Sequence, residues 1–202
     1  MNHIPKNSMC IFLCFLLAIS LSGCSGNVEI TEKSINQTVS KVEKALKSFD
    51  EKDLKKYVES DTLSSILSVS NGKKQFKELG QAIFEELSME VVSFDIEKAT
   101  VTVSVKNREL SKIAEDFAKN LNKNYSSFQL LGKLQDEGFL NSKLNVLKEK
   151  IANAEMQSEA TEITLNIKKE KGNLVLVFDD NGENAVSGGA LGAIMKTFSA
   201  SL

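Results

Sequence analysis

The sequence predicts an α+β fold in which one curved antiparallel sheet of about four strands packs its apolar face against helices. Two stretches carry apolar residues at every second position, which is the spacing of a half-buried strand, and each is interrupted by a turn. The stretches before, between and after them carry apolar residues at helical spacing, with lysine and glutamate in between. The predicted order is therefore helices, hairpin, helices, hairpin and a final helix.

Three helices are predicted before the first hairpin. The first covers residues 32–49, and Asp50 is a suitable N-cap for a short second helix over residues 51–58. The third is predicted to begin after a turn at Asn71 and Gly72. Their apolar faces consist of Ile35, Val39, Val42, Ala45, Leu46 and Phe49, then Leu54 and Tyr57, then Phe76, Leu79, Ile83, Phe84 and Leu87.

The two hairpins are predicted within residues 89–106 and 163–178, with turns near Glu97 and at residues 169–172. In three of the strands the alternation predicts one buried face. The residues of these faces are Val92, Phe94 and Ile96 in the first strand, Ala99, Val101, Val103 and Val105 in the second, and Ile163, Leu165 and Ile167 in the third. Residues 174–178 form a continuously apolar run, so the last strand is predicted to be central or covered on both faces.

The remaining helices are predicted at residues 109–122, at about 139–156 and at 184–199, where the segment is glycine-rich at its start. The pattern of residues 124–137 leaves their structure unassigned. Because no proline-rich or glycine-serine linker interrupts residues 32–202, they are predicted to form one α+β domain.

Residues 1–23 have the three parts of a secretory signal peptide. Lys6 supplies positive charge, residues 9–21 form an apolar run, and small residues precede the predicted cleavage site. An apolar run of about 13 residues is too short to cross a bilayer, which needs roughly 20. We therefore expect this segment to be removed.

The four residues Leu21, Ser22, Gly23 and Cys24 resemble the lipobox of bacterial lipoproteins. The resemblance implies that the Cys24 thiol receives a diacylglycerol, that the preceding peptide is cut off, and that the new amino terminus is acylated, commonly with palmitate. Two acyl chains at about 0.8 kcal/mol per buried methylene hold a protein stably on the outer face of the cell membrane. Residues 24–31 then comprise the lipidated cysteine and a short tether, in which Ser25 to about Thr31 span about 20 Å at roughly 3.3 Å per residue. An ordinary signal peptide followed by an incidental cysteine is the alternative.

Removal of residues 1–23 restricts the available chemistry. His3, Cys10 and Cys14 leave with the signal, and the chain has no tryptophan, so the remainder has no histidine and no thiol besides Cys24. No disulfide can form within it. The net charge of −2 loses Lys6 and becomes about −3, with both signs interleaved, so we expect neither a nucleic-acid partner nor a polybasic membrane-surface role.

Several segments together resemble uncharacterised lipoproteins of low-GC Gram-positive bacteria, whose domain of unknown function has a cystatin-like fold of the nuclear transport factor two-like kind. The residues that carry the resemblance are 100–105, 107–113, 161–167 and 172–177, with the pairs Asp179-Asp180 and Gly188-Gly189. The resemblance implies a cystatin-like sheet but assigns no activity.

Two loops contain residue types that also occur in ligand-binding loops. Residues 179–184 are acidic around a glycine turn, yet aligning Gly182 with the sixth position of an EF-hand loop puts Val177 and Gly188 at ligand positions, so no metal is expected. Residues 188–192 lack the lysine and hydroxyl residue of a phosphate-binding loop. A helix cap and a close helix approach explain the two loops, and no cofactor is expected.

Two functional classes stay open. In the first, the domain is a membrane-tethered, non-catalytic module that binds a small apolar ligand or an envelope protein. In the second, it is a cystatin-like enzyme of isomerase or hydrolase type that pairs a carboxylate with Tyr57 or Tyr125. Because histidine is absent and Cys24 is expected to carry lipid, binding is favoured, and no catalytic residue is assigned. A carboxylate and a tyrosine converging in an open cavity would favour the enzyme.

Overall fold

The computed structural model describes residues 28–70 and 72–199. Within them the chain forms nine helices and five strands. The helices are α1 Glu32–Ser48, α2 Glu51–Tyr57, α3 Asp61–Ser70, α4 Lys74–Phe84, α5 Ser111–Asn124, α6 Ser127–Lys133, α7 Glu137–Ala152, α8 Asp180–Val186 and α9 Ala190–Ser199. The strands are β1 Val58–Glu59, β2 Ser88–Asp95, β3 Thr100–Lys106, β4 Thr161–Glu170 and β5 Asn173–Val177.

The five strands form one sheet in the order β1-β5-β4-β3-β2. The pairs β2–β3, β3–β4 and β4–β5 are antiparallel, and both predicted hairpins are present. The two-residue strand β1 adds to the free side of β5 in the parallel direction. The predicted α+β class, a curved sheet packed against helices, is confirmed, and the sheet has one more strand than the sequence indicates.

One face of the sheet, here called the core face, is apolar and is covered by α1. Val101, Val103 and Val105 of β3 are fully buried, as predicted, and they pair with β4 residues of the same face. The opposite face is polar, and the Thr102 and Thr164 hydroxyls lie 3.0 Å apart on it. The 17-residue helix α1 packs against this face through Ile35, Val39, Val42, Ala45 and Leu46. Leu174, Val175 and Leu176 of β5 are all buried, as the continuous apolar run predicts.

The predicted buried face of the first strand is wrong. Val92, Phe94 and Ile96 have exposed fractions of 50%, 37% and 50%. A β-bulge between Val91 and Ser93 leaves Val92 outside the pairing, and β2 is an edge strand. Met89 is buried on this strand instead, because it lies at the end that α1 covers.

Several helices also differ from the prediction. Residues 61–70 form α3, which is not predicted, and residues 127–133 of the unassigned segment form α6. The predicted final helix is two helices, since Gly188 and Gly189 have φ values of +59° and +84° and end α8 before α9 begins. Asp50 caps α2 as predicted, accepting from the backbone N–H groups of Lys52 and Asp53.

A second, smaller core lies beyond the end of β3, where α5, α7 and α9 pack around Leu110, Leu147 and Ile151. Asn107 joins the two cores. Its fully buried amide donates to the carbonyl oxygens of Ile83, at 3.0 Å, and Val186, at 2.7 Å. The ends of α4 and α8 are thereby fixed to the end of β3.

The predicted signal peptide 1–23, with Leu21, Ser22 and Gly23, and the predicted lipid attachment site Cys24 lie outside the described residues. Of the predicted tether, residues 24–31, the structure describes Val28 and the residues after it. Among the described residues, no helix has the length and apolar character needed to cross a bilayer.

Candidate binding groove

A polar groove runs along the surface where α5, α8 and α9 meet. It consists of two adjoining cavities of about 720 and 610 Å³ that share Ser111, Asn181, Asn184 and Gly189. These volumes lie in the range of small-molecule sites. The first cavity extends along α5 and α9, and the second extends over the start of β4.

The floor of the groove is held by Asn184 of α8. Its side-chain oxygen accepts from the backbone N–H of Gly192 at 3.1 Å, and its carbonyl oxygen accepts from the N–H of Gly189 at 2.8 Å. A Cβ at Gly192 would lie 2.3 Å from the Asn184 Oδ1 atom. Glycine at this position therefore allows α9 to approach α8, as the small-residue pattern predicts.

Gly188 and Gly189 place α9 against the connection between β3 and α5. The N–H of Leu110 donates to the Gly188 carbonyl oxygen at 2.7 Å, and a Cβ at Gly188 would lie 1.9 Å from the Arg108 carbonyl oxygen. A Cβ at Gly189 would lie 2.8 Å from the Cβ of Ser111. Both glycines thus bring the start of α5 to the groove wall.

The polar lining carries both signs of charge. Glu109 accepts from the hydroxyl and the backbone N–H of Ser111 at the start of α5. Further along the helix, the hydrogen bond from Lys119 holds the pKa of Glu115 below its ordinary value. Lys196 lies across the groove on α9. The amides, carboxylates and ammonium groups of the lining can pair with a ligand that has several hydrogen-bonding groups.

The acidic segment 179–184 caps a helix, as predicted. The Asp179 carboxylate accepts from the N–H of Gly182 at 2.8 Å, which begins α8. Within the described residues, no group of three or more histidine, cysteine, aspartate and glutamate side chains is arranged to hold a metal ion. Asp180 and Asn181 nevertheless line the groove, a role that the sequence does not indicate because the other wall comes from a distant segment.

Glu183 of α8 is a buried carboxylate beside the main core. Glu183 accepts a short hydrogen bond from the Ser60 hydroxyl and a second from the N–H of Thr62 at 3.3 Å. The Ser60 hydroxyl also accepts from the N–H of Leu63 and so caps α3. The adjacent apolar cavity, lined by Phe84 and Phe178 among others, has a volume of about 20 Å³. Sequence reasoning missed this pair, whose members are 123 residues apart.

The two tyrosine rings lie next to lysine and phenylalanine side chains. The Tyr57 ring lies 5.4 Å from the Lys41 ammonium and 5.1 Å from that of Lys56, and it packs at the margin of the main core. The Tyr125 ring meets Phe139 edge-on, with centroids 5.3 Å apart. These contacts are those of packing residues.

Comparisons with known proteins give one structural similarity. No protein-family model matches the chain, and the curated proteins contain no significant match. A solved structure, that of the candidate lipoprotein ycdA from Bacillus subtilis, aligns with a TM-score of 0.40 and 17% identity. The alignment covers 77% of this chain and 55% of that one, so this chain spans about half the length of ycdA. A similarity of this size assigns neither the fold nor the function.

Proposed function

We propose that this chain is a lipoprotein anchored to the outer face of the cell membrane through Cys24, and that its domain is a non-catalytic binding module. The observation that carries the proposal is the sequence Leu21-Ser22-Gly23-Cys24 directly after an apolar run with an upstream lysine. The folded domain starts close behind it, since Val28 and Ile30 already pack against the main core.

Membrane anchorage follows from the chemistry of this motif. A diacylglycerol on Cys24 supplies two acyl chains, and two chains hold a protein at the bilayer where a single chain holds it only marginally. The four residues from Cys24 to Val28 span about 13 Å when extended. The domain therefore works close to the lipid surface, and its ligand or partner is a component of the cell envelope.

Binding rather than catalysis is supported by how the interior is filled. The core face of the sheet is occupied by α1 side chains, and the cavity beside Glu183 has room for about one water molecule. The polar groove has the volume of a small-molecule site, so we propose that it binds a polar small molecule or a polar segment of an envelope protein. The cystatin-like description of the fold remains part of this proposal.

The anchor is tested by metabolic labelling with palmitate and by partitioning into detergent. The wild-type protein takes up label and enters the detergent phase, whereas Cys24→Ala takes up no label. Cys14→Ala is the matched control, because that cysteine lies within the predicted signal and its loss leaves labelling unchanged. An unlabelled wild-type protein, or equal labelling of Cys24→Ala, contradicts the proposal.

The groove is tested by native mass spectrometry of the protein purified from its own host. Asn181 is exposed at the junction of the two cavities, so Asn181→Trp fills the groove without disturbing the core. A bound mass present on the wild type should be lost in Asn181→Trp and retained in Asn120→Trp, an exposed position of α5 that does not line the groove. A bound mass that persists in Asn181→Trp contradicts this assignment.

A further inference from the structure

We infer that the hairpin-turn end of the sheet, defined as residues 94–100 and 168–173, rests on the bilayer, with Phe94 and Ile96 inserted at the lipid interface. This inference rests on the proposed lipid anchor at Cys24 and adds to it an orientation and a membrane-contacting surface.

Both hairpin turns lie at one end of the sheet. The register pairs Asp95 of β2 with Thr100 of β3, and Thr100 with Asn166 of β4. From there β4 continues to the second turn, and the N–H of Ile167 donates to the Ala99 carbonyl oxygen at 2.7 Å. The two turns therefore form a single surface.

Two exposed apolar residues at the end of the edge strand lie on this surface. Phe94 and Ile96 are two of the three residues whose predicted burial is wrong, and they are large side chains left open to solvent at the first turn. Exposed aromatic and aliphatic side chains at the tip of a membrane-tethered domain gain free energy by entering the interfacial region of the bilayer.

The hairpin-turn end carries a small excess of positive charge, and three of its four lysines form ion pairs, with Asp95, Glu59 and Glu170. Residues 94–100 and 168–173 contain four lysines, at positions 98, 168, 169 and 171, and three carboxylates, in a domain that is net negative. The Lys98 and Lys171 side chains are more than three-quarters exposed. Long lysine side chains reach the headgroups while apolar neighbours lie deeper.

The first described residues, which follow the proposed anchor, lie on the same side. The carboxyl-terminal half of α1 is fixed to the opposite end of the sheet, where the Glu43 carboxylate accepts from the N–H of Met89 at 3.2 Å and the Phe49 ring stacks on Phe84 at 6.1 Å. Since α1 has 17 residues, its start lies about 25 Å from this end. This length matches the roughly 23 Å of β3, so Val28 and Ile30 lie over the hairpin-turn half.

This orientation carries the polar groove away from the lipid. Two residues of the groove lining mark its position: Glu109 follows the end of β3, and Thr161 begins β4. Both lie at the end of the sheet opposite the turns. The groove opening is therefore about 20 Å above the turns and remains accessible to a ligand or partner.

The test places an environment-sensitive fluorophore on an introduced cysteine in the full-length lipidated protein. If Cys24 is blocked by lipid, no other thiol of the mature chain takes the label. Ile96→Cys is compared with Phe128→Cys, an 86% exposed position on α6. The proteins are reconstituted on vesicles of phosphatidylcholine and phosphatidylglycerol with brominated acyl chains.

We expect a blue shift and a loss of fluorescence for the label at position 96, and neither change at position 128. If the protein floats with the vesicles while the label at position 96 stays unquenched, the orientation is wrong and the anchor stands. Quenching at position 128 alone likewise overturns the orientation. If the protein does not float, the anchor and the orientation both fall.

Discussion

At Gly188 the main chain combines a left-handed conformation with close packing. The φ of +59° strains any residue with a side chain, and a Cβ would also collide with the Arg108 carbonyl oxygen. Because that oxygen belongs to the backbone, the collision cannot be relieved by a rotamer change. The residue thus fixes α9 against the start of α5.

Gly188→Ala should therefore cost more stability than strain alone. Gly72→Ala is the matched control, because Gly72 has a φ of +72° but no atom within 4 Å of a hypothetical Cβ. We expect a loss of about 1 kcal/mol for Gly72→Ala and at least about 3 kcal/mol for Gly188→Ala in urea unfolding. Equal losses in the two variants would show that the close approach to Arg108 is absent.

Asn107 is the second position at which one side chain holds several elements. Asn107→Ala leaves two buried carbonyl oxygens, those of Ile83 and Val186, without their donor. We expect a loss of about 3 kcal/mol in the free energy of unfolding. In contrast, Asn153→Ala, which removes an exposed amide bonded within α7, should change stability by less than about 0.5 kcal/mol. A small loss for Asn107→Ala would contradict its role as the junction.

At the scale of elements, α4 and α7 are joined by an ion pair at the surface. The Glu78 carboxylate lies 2.6 Å from the Lys148 ammonium and 3.1 Å from that of Lys74. The hydrogen bond from Lys148 is the main cause that holds the pKa of Glu78 below its ordinary value of 4.5. A carboxyl whose folded pKa is depressed adds stability above its unfolded pKa, and this stability is lost as the pH falls through the folded pKa.

The contribution of Glu78 should therefore disappear on acidification from about pH 5 to pH 3. In Lys148→Met, part of this acid-dependent loss is already absent, so the stability of the variant falls less steeply over the same range. Lys143→Met, on the same helix, serves as the control and should follow the wild type. The measurement is the urea midpoint of each protein as a function of pH. An identical pH dependence of the midpoint for wild type and Lys148→Met would contradict the contribution of the Glu78–Lys148 ion pair.

The Ser60–Glu183 hydrogen bond joins α3 to α8 in the main core. Glu183→Ala leaves the Ser60 hydroxyl and the Thr62 N–H unpaired, and we expect it to cost about 2–4 kcal/mol. A double-mutant cycle with Ser60→Ala should give a coupling energy of about 1–2 kcal/mol in urea unfolding. A coupling near zero would mean that each side chain acts alone.

Sequence patterns predict the elements whose burial follows a simple period. The strand with Val101, Val103 and Val105 is found as predicted, because a central strand covered on one face alternates strictly. The pattern of β2 misleads because a bulge and an edge position are decided by neighbouring strands. Strand β1 has only two residues, and no periodicity can reveal it.

The groove was beyond prediction for a related reason. Its walls come from residues near position 111 and from residues 180–197, which meet only after α5 and α9 pack together. The signal that was available is the glycine series at 188, 189 and 192, and it predicts the close helix approach without the cavity beside it.

At the scale of the whole molecule, the proposed anchor, the apolar hairpin-turn end and the polar groove form one arrangement. In the proposed orientation, Val28, Ile30 and the exposed Phe94 and Ile96 lie toward one end of the sheet, and the groove opens near the other. A domain held in this way presents a ligand-sized polar surface to the cell envelope while its opposite end contacts lipid. Every part of this arrangement depends on the modification of Cys24.

Mass spectrometry of the amino-terminal peptide of the protein, purified from membranes, tests that modification most directly. Our account predicts a peptide that begins at Cys24 and carries a diacylglycerol on the thiol. A peptide that begins at Ser25 or later, or one in which an unmodified Cys24 still follows Leu21, Ser22 and Gly23, would contradict it.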